Sequence, residues 1–263
     1  MSSRPETDPF YNYYAEQSVS SETIQRFEAI RRLVDRLLQT TGHAQQTLKV
    51  ADVGCGAGTQ SIMWARDGHR TYGIDINNEL IELARKRALD AGLAMQFTAG
   101  TASALPWETA SMDVCLVPEL LEHVAEWELC LDEFARVLKP GGALFLSTNN
   151  TLCPIQQEFD LPLYSWYPGF VKRRCEQLAV TAHPEWVNHA QFPAVNWFTF
   201  YQLKTELRKR GLTGYDRFDV TDENETGRLR RLAVALIRKV PPLRFAAHVC
   251  TPYTAVLAVK DPA

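Results

Sequence analysis

The 263-residue sequence has no C-x-x-C pair: its six cysteines, Cys55, Cys115, Cys130, Cys153, Cys175 and Cys250, stand far apart. That spacing excludes a zinc ribbon and outlines no small disulfide framework, so reduced thiols in a soluble, cytoplasmic protein are expected. No apolar run approaches the ~18 residues of a membrane span, and MSSRPETDPF lacks the basic-then-apolar order of a secretion signal. Positive charge is not in excess either. The balance of 28 basic to 31 acidic residues, net −3, excludes a broadly basic nucleic-acid binder, so no nucleic-acid partner is expected. Internal repeats and low-complexity tracts are also missing. With 46% hydrophobic residues the chain can bury one large core, and 1–263 reads as a single domain.

What is present is an alternation of short apolar runs and helical patterns. LKVADV, RTYGID, AMQFTA, MDVCLV and ALFLST read as five strands. Helices are expected at 58–68, closed by Gly68, and at 77–91, with an Asn N-cap and Glu82 four positions before Lys86. Val124, Trp127, Leu131, Phe134 and Leu138 step by three and four, a stripe along one helix face that ends at KPGG. Parallel strands need helical crossovers, so residues 48–148 are expected to form a doubly wound, mostly parallel α/β sheet. Phe27, Ile30, Val34 and Leu37 mark a helix ahead of it, and TAVLAVK at 254–260 is expected to extend the sheet edge.

The stretch VADVGCGAGT then asks for a ligand. Gly54, Gly56 and Gly58 follow the first strand, where the backbone must turn sharply and approach a bound molecule without Cβ atoms. Asp75 closes the second strand, where a carboxylate can take both hydroxyls of a ribose. The dinucleotide fingerprint wants a third-position glycine where Thr59 stands, which disfavours a nicotinamide cofactor. Asp52 adds negative charge near the loop, unhelpful for a pyrophosphate and useful for ammonium and sulfonium groups. Cys55, inside the loop, reads as a small packing residue.

DVGCGAGT, GIDI, DVCLVPELLEHV and LKPGGALFLST, in that order, resemble the class I S-adenosylmethionine-dependent methyltransferases, in particular the ubiquinone-biosynthesis O-methyltransferases. The resemblance implies a Rossmann-like fold with an aromatic-rich capping insertion after the fifth strand, and S-adenosylmethionine as cofactor. Carried over by position, Asp52 and Gly54 hold the methionine part, Asp75 the ribose hydroxyls, and the turn at 100–103, with Thr101, Ala102 and Ser103, the adenine. Gly56, Gly58, Ile76, Glu119 and Tyr14 complete the implied cofactor contacts. Many relatives carry an aspartate where this chain has Thr101, so adenine recognition would rest on backbone groups or Ser103.

Glu119, Glu122 and His123, at the end of the fourth strand, lie three and four apart and would project together from one helical turn. Three readings stay open. His123 is a general base oriented by Glu122; or E-x-x-E-H resembles a divalent-metal site for Mg, Mn or Zn, built from Glu119, Glu122 and His123 with His183 or, preferred, His189; or the segment simply starts the next helix.

Three further features bear on the acceptor. Residues 159–201 hold 11 of the 27 aromatic residues, among them Tyr164, Trp166, Tyr167, Phe170, Trp186, Trp197 and Phe198, which suits either a substrate cap or a satellite core. Phe10, Tyr11, Tyr13 and Tyr14 read as a lid over the cofactor or as packing. Between 228 and 244 stand Arg228, Arg230, Arg231, Arg238, Lys239 and Arg244 with no acidic residue, interleaved with Leu229, Leu232, Leu236 and Val240. That is either a basic amphipathic helix for peripheral contact with anionic lipid, or a solvated helix packing its leucines on the core.

The expected organisation is an N-terminal lid and helix at 1–45, a cofactor-binding core at 46–148, a capping insertion at 149–205, and a helix and strands at 206–263 completing the sheet. The expected activity is methyl transfer to a hydroxyl of a small-molecule, sugar or quinol/lipid-linked acceptor. N- or C-methylation, a nicotinamide-dependent oxidoreductase and a non-catalytic adenosyl-binding subunit stand as alternatives.

Overall fold

Most of the apolar runs become strands because an amphipathic segment follows and carries the chain back across one sheet face; between the third and fourth strands the chain returns through turns alone. The structure, a computed structural model, describes residues 15–43, 45–156, 159–187, 194–221 and 227–262. In chain order α1 (Ser21–Thr40) precedes β1 (Lys49–Val53), α2 (Thr59–Arg66), β2 (Arg70–Asp75), α3 (Asn78–Asp90), β3 (Gln96–Ala99) and β4 (Met112–Pro118). A 3₁₀ turn at Leu121–His123 leads to α4 (Trp127–Val137) and β5 (Leu138–Asn149). After an inserted region containing α5 (Gly169–Thr181) come α6 (Phe200–Lys209), β6 (Leu212–Tyr215), α7 (Arg217–Val220), α8 (Arg228–Lys239), α9 (Pro241–Val249) and β7 (Tyr253–Lys260).

The strands form one sheet in the order β3-β2-β1-β4-β5-β7-β6. β1 to β5 run parallel, and β7 runs antiparallel to both its neighbours. One face is covered by α1 and α2, with Ile30, Val34, Leu37 and Trp64 packed on Val50, Val114, Leu116 and Phe145. The other is covered by α4 and α6, with Leu131, Phe134, Leu203 and Leu207 against Val53, Cys115, Leu144 and Val256. A sheet buried on both faces wants continuous apolar strands, and β4 and β5 supply them.

Two expectations on the fold are corrected. TAVLAVK does not lie at the sheet edge: β7 sits between β5 and β6, and the four-residue β6 is the edge. The fifth strand begins at Leu138, ahead of KPGG, because Gly141 takes φ +78° and the register against β4 shifts there instead of ending in a turn.

The inserted region builds its own cluster. Phe159, Tyr164, Ala179 and Val187 are buried together, with Tyr164 stacked on Phe159 at 4.1 Å and meeting the edge of Trp197 at 5.5 Å. Among the described residues, then, much of the aromatic excess forms a satellite core.

Candidate active site

The strand order reverses at β1, whose neighbours are β2 and β4, and the loops leaving these strands diverge around a cleft of about 490 Å³. A crevice at the carboxyl ends of parallel strands is where this architecture binds ligands. Gly54, Cys55, Gly56 and Ala57 form its floor, Asp75, Ile76 and Asn77 one wall, and Pro118, Glu119, Leu120 and His123 the other.

Each loop glycine has its own task. Gly54, Gly56 and Gly58 all take positive φ, from +50° to +77°. A Cβ on Gly58 would stand 2.8 Å from Ala84 and 2.9 Å from Phe97, so that glycine lets α2 and α3 approach. A Cβ on Gly56 would meet nothing within 4 Å and would enter the cleft. Gly56 therefore leaves the cleft floor open, and Gly58 serves packing.

Asp75 closes the floor against the wall. One carboxylate oxygen accepts from the Gly56 N–H and the other from the Asn77 N–H, each at 2.8 Å. Burial raises its carboxyl above the usual range, and those bonds oppose the rise. Each oxygen keeps a further lone pair, so the carboxylate presents two acceptors side by side, the complement of a vicinal diol. Ile76, beside it, is 72% exposed on the cleft wall and offers an apolar surface to a flat ring.

Asp52 lies beneath the loop instead of on the cleft surface. Its buried carboxylate accepts from Ser61 Oγ at 2.5 Å and Gln60 Nε2 at 3.3 Å. Burial pushes its carboxyl up to about 6, the Ser61 bond opposes that, and the charge of Asp75 adds to it. Burial, with Asp52 and Asp75 nearby, also pushes the Cys55 thiol well up, so it stays protonated and packs.

Residues 51–146 match the family model of a methyltransferase domain. Over that stretch the chain is similar to methyltransferase domains. It is similar to the ubiquinone biosynthesis O-methyltransferase of Brucella anthropi, 37% identical over 180 residues, which are 66% of this chain and 63% of that protein. It is 39% identical over 103 residues, 39% of this chain, to the protein of the same name from Chelativorans sp., and there it spans 41% of the relative's length. The PH0226 protein from Pyrococcus horikoshii superposes with a TM-score of 0.57 over 98% of this chain and 100% of its own, at 17% identity, a likeness of fold.

Of the residues expected to bind a cofactor, Gly54, Gly56, Asp75, Ile76 and Glu119 meet at the cleft. Thr101, Ala102 and Ser103 are not on its wall; Ala102 is buried, and Thr101 and Ser103 bond to each other through their hydroxyls at 2.9 Å. Tyr14, with Phe10, Tyr11 and Tyr13, lies outside the described residues, as does His189.

The structure does not bring Glu119, Glu122 and His123 together. Glu119 takes the left-handed conformation at φ +51°, which breaks the helical spacing, and only Leu121–His123 form a turn. Glu119 points across the cleft to Arg26 of α1, 2.5 Å away, and Glu122 is fully buried, its carbonyl accepting from the Val195 and Asn196 N–H groups. His123 faces the cleft, its Nδ1 buried without a partner among the described residues. Among the described residues no group of three or more His, Cys, Asp or Glu side chains is placed to hold a metal ion. His183 stacks on Trp186 at 4.3 Å in the inserted region.

Sequence reasoning missed the α1 side of the cleft. Gln17, Ser18, Ser20, Thr23, Arg26 and Phe27 line it, and Arg87 of α3 fastens the approach to that helix by donating to Ala15 O, Ser18 Oγ and Ala57 O. The apolar stripe showed which face of α1 meets the sheet; nothing in the stripe showed that the first turns overhang the cleft.

Proposed function

We propose that the protein transfers a methyl group from S-adenosylmethionine to a hydroxyl of a small acceptor, with a quinol-type phenol favoured over a sugar. The observation that carries the cofactor reading is the twin-acceptor geometry of Asp75 beside the open backbone at Gly56. Bound there, S-adenosylmethionine would supply an electrophilic methyl group on a sulfonium that is its own leaving group. Asp75 would take the ribose hydroxyls, Ile76 would cover the adenine, and Arg26 would answer the carboxylate of the amino-acid tail. Among the described residues lining the cleft Arg26 is the one guanidinium or ammonium, and it now holds Glu119.

The protein's remaining task is to seat the acceptor oxygen in line and remove its proton. His123 suits that task, because no bond among the described residues fixes which ring nitrogen carries the proton. Glu122 anchors this wall to the strand of chain at 194–198. The region 149–205 would cap the acceptor, and its exposed Trp166 and Phe170 suit an aromatic ring or an isoprenoid tail. The names of the two bacterial relatives favour a quinol-type acceptor.

Calorimetric titration with S-adenosylhomocysteine tests the cofactor site. Asp75→Ala is expected to weaken binding about a hundredfold, the worth of two hydrogen bonds to a charged acceptor at roughly 1.5 kcal/mol each. Unchanged affinity would remove Asp75 from the ribose site. Turnover of catechol-type and quinol acceptors tests the rest: His123→Ala is expected to cost about 10²- to 10⁴-fold in kcat with cofactor affinity retained. Manganese binding that Glu119→Gln abolishes would replace the base by a metal-held acceptor.

A further inference from the structure

Helix α8 carries its apolar stripe on the outside. Leu229, Leu232 and Leu236, spaced i, i+3 and i+7, share one face and are 85%, 61% and 53% exposed. The helix is held to the body by other residues: Val234 is buried, and Arg238 donates to the carbonyls of Phe218 and Thr221. The expectation that these leucines pack on the core is therefore corrected. The exposure continues past Pro241 and Pro242 into α9, where Leu243 and Phe245 stand 45% and 48% exposed, while Arg244 turns inward to Asp216 and Asp219.

Charge decides what would cover this face. Of the six basic residues between 228 and 244, where no acidic residue falls, Arg238 and Arg244 turn inward, and the other four belong to α8 in a chain whose net charge is −3. Arg231 and Lys239 are exposed on the same helix as the leucines. A second copy of the chain would bring the same positive segment against itself, and a purely polyanionic partner would leave the leucines in water. An interface with both anionic headgroups and acyl chains satisfies both features at once.

We infer that α8 and the start of α9 form a docking surface for an anionic lipid bilayer, lying in the headgroup plane with Leu229, Leu232, Leu236 and Phe245 inserted. No helix among the described residues is long and apolar enough to cross a membrane, so the contact is peripheral. The inference goes beyond the proposed activity and does not rest on it, since it concerns a different surface and is read without cofactor or acceptor.

Vesicle flotation of the full chain tests it. Vesicles of phosphatidylcholine containing about one-third phosphatidylglycerol are expected to carry at least about tenfold more protein than phosphatidylcholine alone, with the difference shrinking in high salt. Leu232→Gln with Leu236→Gln is expected to cut the bound fraction about fivefold or more while S-adenosylhomocysteine affinity and the thermal melt stay as in the parent. Lys239→Gln should lower the preference for anionic vesicles with the leucines intact. Absence of binding to anionic vesicles, equal binding to both vesicle types, or a leucine variant that binds as the parent would each overturn the inference. So would a dimer in light scattering that the leucine variant dissociates, which would assign the face to a second copy.

Discussion

Asp52 shows how one buried atom group can set the pH response of a site. Its folded-state value of about 6 lies above the ordinary 3.8 because burial penalises the charge, so the folded protein holds the proton more tightly than the unfolded chain. The resulting contribution to stability is complete below about pH 4 and is lost as pH rises to about 6; above that the ionised group costs roughly 3 kcal/mol. A cation in the cleft acts in the opposite sense. Asp52 already responds to the charge of Asp75, so it will respond to a sulfonium in the same cleft. Affinity for S-adenosylmethionine is therefore expected to rise by up to about tenfold per pH unit between pH 5 and 6 and to level off above, as measured by calorimetry. In Asp52→Asn the slope should flatten; a slope that persists would assign the linkage to Asp75 instead.

Among the elements, the last helices are tied to the sheet through one buried charge. Asp216 is fully buried, caps α7 by accepting from the Phe218 and Asp219 N–H groups, and meets Arg244 at 2.6 Å and His248 at 3.0 Å, both on α9. Burial alone would raise its carboxyl, but the bonds from His248 and Arg244 hold it down at about 2. Its contribution is therefore present above the ordinary 3.8 and is lost as pH falls through about 2. Asp216→Asn removes the charge and leaves Arg244 with Asp219 as its remaining acidic partner, so a loss of about 3 kcal/mol is expected in urea unfolding at pH 7. A loss below about 1 kcal/mol would show that Asp219 suffices. At this scale the sequence was readable where periodicity was strong. β1 to β5 and the helices between them follow from apolar runs and three-four stripes, whereas LTGY is too short for either pattern, with only Leu212 and Gly214 buried. The place of β7 could have been read more closely, because its unbroken run of buried residues from Val256 to Val259 suits a strand covered on both faces, not an edge. The site divides the same way. Gly54, Gly56 and Asp75 announce themselves by spacing from the strands, but the reach of Arg26 across to Glu119 spans 93 residues and depends on how α1 lies over the sheet. The fan of E-x-x-E-H failed to form because one residue, Glu119, left the helical region.

For the molecule as a whole, the cleft lies where parts distant in sequence converge: the N-terminal approach to α1, the glycine loop after β1, and the end of β4. A ligand that bridges them should stabilise the whole assembly. S-adenosylhomocysteine at a hundred times its dissociation constant is expected to add about 2.7 kcal/mol, read as an upward shift in the thermal midpoint, and NADH at the same concentration should leave it unmoved. The reverse pattern would return the chain to the dinucleotide-binding reading. The position of β7 also sets a timetable for synthesis. β5 and β6 leave the ribosome well before the strand that joins them, so the growing chain carries two unpaired edges, one on each side of a vacant slot, until residues 253–260 emerge. Half of the sheet can assemble as it is made; the other half closes only by insertion, since β6 has no partner in the sheet until β7 comes between it and β5.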